Sequence, residues 1–381
     1  MIDNNIDQNQ PSELYIGLMS GTSVDSIDAA LVRIDATGCE LLASHDHPIP
    51  DQLRRQLIEL CQPSDNEIDR MGEADSELGK EFASAVIALL KTAGLSCEAI
   101  RAIGSHGQTI RHRPAYRHPF TLQIGDPNTI AQRTQITTVA DFRRRDIAIG
   151  GQGAPLAPAF HRAHFGSSDY NRAIINIGGI ANITYLGRDG DYLGFDTGPG
   201  NSLLDAWITQ QLNRAYDANG NWGASGSAIP ELLAALLSHP YFSQPLPKST
   251  GREDFNLDWL NSILADASIT TEQYTAVDVQ ATLLEMSAQS IIREVKQLPA
   301  PVDEIYICGG GAYNGALMAR LQSLLPSIPV SDTAPLGIAP EWVEAAAFAW
   351  LASQTLAGKP GNLRQATGAH SEVILGAIFP V

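Results

Sequence analysis

The sequence predicts an α/β protein built as two lobes. Two glycine-rich segments, residues 14–34 and 173–186, are each flanked on both sides by strand-like sequence. The chain has 381 residues, more than one hydrophobic core usually serves. The order of a hairpin followed by alternating strands and helices occurs once in each half.

The first half opens with strand-like runs at 14–19, 27–34 and 40–47. Helical stretches follow at about 51–62 and 65–94. In the second of these Ile68, Met71, Leu78, Phe82, Val86 and Leu89 recur near helical spacing. Residues 99–104 read as a strand that leads into Ser105-His-Gly-Gln-Thr109. Short strands are expected at 120–124 and 137–140, separated by a helix whose start is marked by Asp126-Pro-Asn128.

The second half begins with the hairpin 173–186. A strand at 193–195 enters Asp196-Thr-Gly-Pro-Gly-Asn201, which opens a helix over 202–213. A long helix is expected over 276–298. A strand at 304–308 runs into Gly309-Gly-Gly-Ala-Tyr-Asn314 and a helix to 325. A short strand at 328–331 and a long helix at 340–356 complete the pattern. Residues 215–256 are rich in Gly, Ser, Asn and Pro and read as an insertion or lid. The halves share little sequence identity, so a structural duplication is suspected from the order of elements alone.

Composition narrows the function. Hydrophobic residues make up 44% and charged residues 18%, which is globular. The net charge of -17 argues against a nucleic-acid partner, which needs a basic surface. It permits a bound nucleotide, because a local nest of N–H groups outweighs global charge. Cys39, Cys61, Cys97 and Cys308 are far apart and signal neither a zinc site nor a disulfide framework. Free thiols fit a reducing cytoplasm. No run of about 18 apolar residues exists, so no membrane span is expected. Residues 1–12 lack the features of a secretory signal and read as a flexible leader.

Several motifs carry chemistry. In Ser20-Gly-Thr-Ser-Val-Asp25, Gly21 permits a tight turn, and Thr22 and Ser23 offer hydroxyls to phosphate oxygens. Asp25 and Asp28 suit Mg²⁺, directly or through water. No lysine follows the glycine, so this is not a Walker A loop. Asn176-Ile-Gly-Gly-Ile-Ala-Asn182 is a second cradle with Gly178 and Gly179 at its tip. An ordinary glycine turn would look the same in either place. Asp196 is the candidate general base for a hydroxyl or water, with a helix N-cap as the plain alternative. Gly198-Pro-Gly200 reads as rigid backbone near a ligand. His106, Gln108, Asp141 and Arg143 follow strands in the first half and suit a polyhydroxylated or acidic ligand. Gly309, Gly310 and Gly311 would let a flat adenosine approach the backbone, although close helix–strand packing needs small residues too. Glu344 starts an alanine-rich helix that reads as tightly packed, where a glutamate is unusual.

These motifs together resemble the anhydro-N-acetylmuramic acid kinases. The resemblance rests on Met19-Ser-Gly-Thr-Ser-Val-Asp25, Gly104-Ser-His-Gly-Gln-Thr109, Val139-Ala-Asp-Phe-Arg143, Gly150-Gly-Gln-Gly-Ala-Pro155, Asn176-Ile-Gly-Gly179 and Phe195-Asp-Thr-Gly-Pro-Gly-Asn201. Lys248-Ser-Thr-Gly-Arg-Glu253, Cys308-Gly-Gly-Gly-Ala312 and Glu344 with its helix extend it, from about residue 14 to the C-terminus. One position departs: the family usually has glycine after the loop aspartate, and this chain has Ser26.

The resemblance implies two ribonuclease-H-like lobes of the sugar kinase, Hsp70 and actin superfamily, with ATP in the cleft between them. It implies a first lobe of 13–136 plus about 360–381, and a second of 137–359 with the insertion near 215–256. The implied reaction opens the 1,6-anhydro bridge of 1,6-anhydro-N-acetylmuramic acid with water and phosphorylates O6, in murein recycling. Asp196 would be the base. Gly21, Thr22, Ser23, Val24, Asp25, Ser26, Ile27, Asp28, Asn176, Gly178, Gly179, Gly309, Gly310, Gly311 and Asn314 would meet the nucleotide. Asp25 and Asp28 would hold Mg²⁺. His106, Gln108, Asp141, Arg143, Gly198, Asn201 and Glu344 would meet the sugar, with an arginine on its lactyl carboxylate. The expected setting is a cytoplasmic homodimer with small-molecule partners and neither nucleic acid nor membrane. Alternatives are a kinase for another amino sugar or carboxylate, and a non-catalytic actin-like nucleotide-binding protein.

Overall fold

The computed structural model describes residues 12–21, 24–35, 38–246, 248–251, 254–265 and 274–381. The chain divides into two compact units, one of residues up to His164 together with Trp342–Val381, the other Phe165–Glu341.

The first unit begins with β1 (Glu13–Met19), β2 (Ser26–Asp35) and β3 (Gly38–Pro48). β1 pairs antiparallel with β2, and β2 with β3, so the expected hairpin forms, with Met19 opposite Asp28. β4 (Ile100–Ser105) lies parallel to β1 on its other side. β5 (Gln108–Arg113) and β6 (Phe120–Ile124) form a separate two-stranded sheet. β7 (Thr138–Ala140) lies parallel to β4.

A 27-residue helix, Glu67–Ala93, ends at Gly94 in the left-handed conformation, a common stop for a helix. It buries Ala74, Leu78, Phe82, Ala85, Val86 and Leu89 in the first core. Ile68, expected on that apolar stripe, is 81% exposed, so the buried face starts later in the helix. On the opposite side, helix Val343–Leu356 packs backbone to backbone. A Cβ on Gly17 would lie 1.8 Å from the carbonyl oxygen of Ala345, and one on Gly104 would lie 2.0 Å from that of Phe348. The alanines of this helix are small for that reason.

The second unit contains β8 (Arg172–Ile177), β9 (Ile180–Leu186), β10 (Tyr192–Pro199), β11 (Glu304–Cys308) and β12 (Val330–Asp332). β8, β9 and β10 form an antiparallel meander, and β11 and β12 continue parallel from β8. β8 reads as a nearly continuous apolar run because both of its faces are covered. The chain then returns to the first unit, where β13 (Ala377–Phe379) pairs with β7.

The first sheet runs β13-β7-β4-β1-β2-β3 and the second β10-β9-β8-β11-β12. In each, a three-stranded meander is extended from its first strand by two parallel strands, and the first sheet adds antiparallel β13 at its edge. This is the ribonuclease-H-like arrangement, present in both halves. The 215–256 region carries short helices Asn221–Ala224 and Pro230–Leu237, and Tyr241 and Phe242 from it enter the second core. No helix among the described residues is long and apolar enough to cross a membrane.

Candidate active site

In the first unit the polar groups converge where β1 and β4 end. The N–H of His106 donates to the carbonyl of Leu18 at 3.0 Å, tying the 105–109 loop to β1. Ser20 donates its hydroxyl to Oε1 of Gln108 at 2.7 Å, and both side chains are buried. Arg143 donates to Nε2 of His106 from Nε and Nη2, at 3.0 and 2.9 Å, and from Nη1 to the carbonyl of Gly153 at 2.8 Å. Nε2 of His106 is therefore an acceptor, and its proton sits on Nδ1. Burial, then the charge of Arg143, holds this ring well below the usual histidine range. Burial likewise pulls Arg143 down to about 10, against the opposing charges of Glu344 and Asp146.

Asp146 is fully buried and organises the glycine-rich loop. It accepts from the N–H of Gly153 at 2.7 Å, from Asn362 at 2.7 Å and from Thr367 at 2.8 Å. Asp141 has φ of 61° and accepts from Nε of Arg144 at 2.7 Å. Backbone held in the left-handed region outside glycine often marks a working site.

At the first hairpin, Thr22 and Ser23 lie outside the described residues. Val24 has φ of 56° and is buried, an outlier for a β-branched residue. Asp25, which is exposed, pairs with the half-buried Arg54 at 2.6 Å. Ser26, Ile27 and Asp28 open β2 in regular register, and the Ile27 side chain is buried in the first core. Ser26 is not among the residues of positive φ, so its backbone makes no demand for glycine. A Cβ on Gly21 would meet nothing within 4 Å. Among the described residues no cluster of three or more His, Cys, Asp or Glu side chains is arranged to hold a metal ion.

In the second unit, the carbonyl of Gly178 accepts from the N–H of Asn201 at 2.8 Å. That of Gly179 accepts from Gly200 at 2.9 Å and Ser202 at 3.1 Å. The turn is thereby clamped to the start of helix Ser202–Leu212. Asn201 also donates from Nδ2 to the carbonyl of Ile177 at 3.2 Å. A Cβ on Gly309 or Gly311 would collide with Asn176 or Ile177, so these two glycines serve close packing. A Cβ on Gly310 would meet only Asn201, at 3.8 Å. Asn314 caps helix Gly315–Leu324 by accepting from the N–H of Leu317. The buried Oδ1 atoms of Asn176 and Asn182, opposite one another on β8 and β9, and Oγ of Ser202 make no hydrogen bond within the described protein.

Asp196 lies inside β10, not at its end as the sequence suggests, and at a register shift between Asp196 and Gly198. Bulges of this kind re-aim side chains beside active sites. Gly198 has φ of 133° and faces Phe242, which a Cβ would meet at 2.8 Å. The half-buried carboxyl of Asp196 accepts from the N–H of Thr250 at 3.1 Å. Burial pushes it up to about 7, against the pull of that hydrogen bond. Such a carboxyl takes and gives a proton near neutrality.

Sequence reasoning missed several supports of these groups. Tyr241 donates to the carbonyl of Asp196 at 2.6 Å, and Lys248 pairs with Glu294 at 3.0 Å. The available signal was Lys248 at the head of Lys248-Ser-Thr-Gly-Arg-Glu253; its partner Glu294 is one of several polar residues buried along helix Ala276–Val295.

A family model described as anhydro-N-acetylmuramic acid kinase matches residues 13–381. The chain is 53% identical over 371 residues to the anhydro-N-acetylmuramic acid kinase of Coxiella burnetii (strain Dugway 5J108-111), covering 97% of this chain and 98% of that protein. It is 53% identical over 367 residues to that of Shewanella pealeana, covering 96% and 98%. Among solved structures it is similar to component A of the (R)-2-hydroxyglutaryl-CoA dehydratase of Acidaminococcus fermentans. The TM-score is 0.46 at 11% identity, covering 89% of this chain and 96% of that one.

Proposed function

This chain belongs to the anhydro-N-acetylmuramic acid kinase family, and on that premise we propose how its residues carry the reaction. The enzyme is an ATP-dependent sugar kinase that converts 1,6-anhydro-N-acetylmuramic acid, ATP and water to N-acetylmuramic acid 6-phosphate and ADP. The observation that carries our assignment is Asp196: a half-buried carboxyl on a bulged strand, gripped by the Thr250 N–H and raised to about 7.

We assign Asp196 as the base. It takes a proton from water as the water oxygen attacks the anomeric carbon and the bond from that carbon to O6 breaks. Water is a poor nucleophile, and a positioned base adds about 10²- to 10⁴-fold. The released O6 attacks the γ-phosphorus, and ADP departs. Transfer of this kind needs alignment and charge neutralisation more than covalent help.

The glycine turns fit a phosphate chain. There is room beside Gly21 and Gly310, and the Ser202 hydroxyl has a donor to offer a phosphate oxygen. A Mg²⁺ bound with ATP would supply charge neutralisation at the phosphates. Asp25 and Asp28 are the carboxylates that would hold it, and Asp25 is paired with Arg54. We assign sugar recognition to His106, Gln108, Asp141, Arg143, Asn201 and Glu344. Arg143 already uses one fork edge on His106, so the lactyl carboxylate would take its remaining donors.

The deciding experiment is turnover in ¹⁸O-labelled water with Mg·ATP and the anhydro sugar. The expected result is label at the anomeric carbon and none in the phosphate. Label in the phosphate, or no sugar product, refutes the reaction order.

A further inference from the structure

We propose that the buried Lys248–Glu294 pair is a positioning device for Asp196, holding the 248–250 segment and balancing charge behind the base. This rests on the assignment of Asp196 above. The side chains of Lys248 and Glu294 are 2% and 1% exposed, and Nζ lies 3.0 Å from Oε1. Nζ also donates to the carbonyl of Tyr241 at 3.4 Å and sits 4.7 Å from the centroid of its ring. This ammonium therefore ties helix Ala276–Val295 to the 240–250 segment.

That segment grips Asp196 at three points. The Asp196 N–H donates to the carbonyl of Lys248 at 3.0 Å. The Asp196 carbonyl accepts from the hydroxyl of Tyr241 at 2.6 Å. The Asp196 carboxylate accepts from the N–H of Thr250 at 3.1 Å. Each partner is Lys248 itself, a residue it touches, or a residue two along the chain. Among the described residues of 244–251, none lies in a helix or strand that would hold it in place.

The pair is costly to keep for stability alone. Buried ion pairs replaced by apolar residues of like volume often leave stability unchanged or improved. The second oxygen of Glu294, Oε2, is buried without a partner, so Lys248 is the main neutralising group for that carboxylate. Without Lys248, a bare carboxylate faces the packing behind the base. Tyr241, which holds the Asp196 carbonyl, feels the charges of Asp196, Glu294 and Asp254, and Lys248 sits over its ring; Asp254 in turn accepts from the Thr250 hydroxyl.

The test is the pH dependence of kcat/KM for full-length Lys248→Met, Glu294→Gln, Lys248→Met/Glu294→Leu and Asp196→Asn. Lys248→Met should lower kcat at least tenfold with the KM for ATP unchanged, and move the acid limb up by roughly one pH unit. Glu294→Gln leaves the cation alone and should move the limb down. The double variant should restore the wild-type limb. Opposite shifts cannot come from loosened packing, which lowers rate without choosing a direction. Lys248→Arg keeps the charge and should keep the limb, giving a second reading if the methionine variant fails to fold. Unmoved limbs in the single variants, with Asp196→Asn inactive, overturn the positioning role alone. A near-normal rate in Asp196→Asn overturns both the base and its support.

Discussion

Arg143 chelates the Nε2 atom of His106 from two nitrogens, at 3.0 and 2.9 Å, and so fixes the ring as a neutral acceptor. The histidine orients the arginine and is not free to act as a base through Nε2. A buried guanidinium stripped of this acceptor loses charge-assisted hydrogen bonds of about 1.5–3 kcal/mol. His106→Phe should therefore lower the melting temperature by several degrees and raise the KM for the sugar. His106→Gln, which retains a carbonyl acceptor, should recover part of both. Thermal melts and steady-state kinetics on the two variants separate these outcomes.

Arg143→Lys keeps the charge but loses the planar fork. It should lower kcat/KM for the sugar about 10- to 100-fold and leave the KM for ATP near its normal value. An equal loss for both substrates would place Arg143 outside sugar recognition.

Asp196 should set the acid limb of the rate profile. Its carboxyl, raised to about 7 by burial, is the active base only when ionised. Log kcat/KM should fall with unit slope below about pH 7. Asp196→Asn should lower kcat by about 10²- to 10⁴-fold while nucleotide binding persists.

The same residue predicts a stability effect of definite sign. The folded state holds its proton up to about pH 7, whereas an unfolded aspartate releases it near 3.8. Between those values the native state binds more protons, so this group's contribution to stability declines as pH rises. Above pH 7 a charged, half-buried carboxylate destabilises the fold. Asp196→Asn should raise the melting temperature at pH 8, and the gain should shrink towards pH 4. A lower melting temperature at pH 8 would contradict the burial that raises this group.

Glycines of different use should respond differently to alanine. Gly17→Ala would push a methyl to 1.8 Å from the Ala345 carbonyl and should cost more than about 3 kcal/mol, read as loss of soluble folded protein. Gly21→Ala meets nothing within 4 Å, so its melting temperature should hold while the KM for ATP rises. Nucleotide titrations beside thermal melts distinguish the two.

Much of the fold was legible because its signals are local. The two hairpins, the helix Glu67–Ala93 and the strand–glycine–helix units show their periodicity in the chain. β5 carries Gln108, Arg111, His112 and Arg113, and its pairing with β6 is visible only once the chain is folded. The short helices at Asn221–Ala224 and Pro230–Leu237 were hidden by the turn-forming residues around them. Ile68 fits the helical stripe by spacing and still faces solvent, because spacing does not say how far a neighbouring surface extends.

The sequence by itself determined the repeated hairpin architecture, the family and the residue types able to bind phosphate and remove a proton. Those follow from local pattern and spelled-out motifs. Only the tertiary structure decided how those residues are held. It joined Arg143 to His106 across 37 positions, spent two of the three Gly309–Gly311 residues on packing, and set Lys248 against Glu294 across 46. Hydrogen-bond partners and burial depend on groups far apart in the chain, and these set the proton affinity of Asp196, which its motif alone could not.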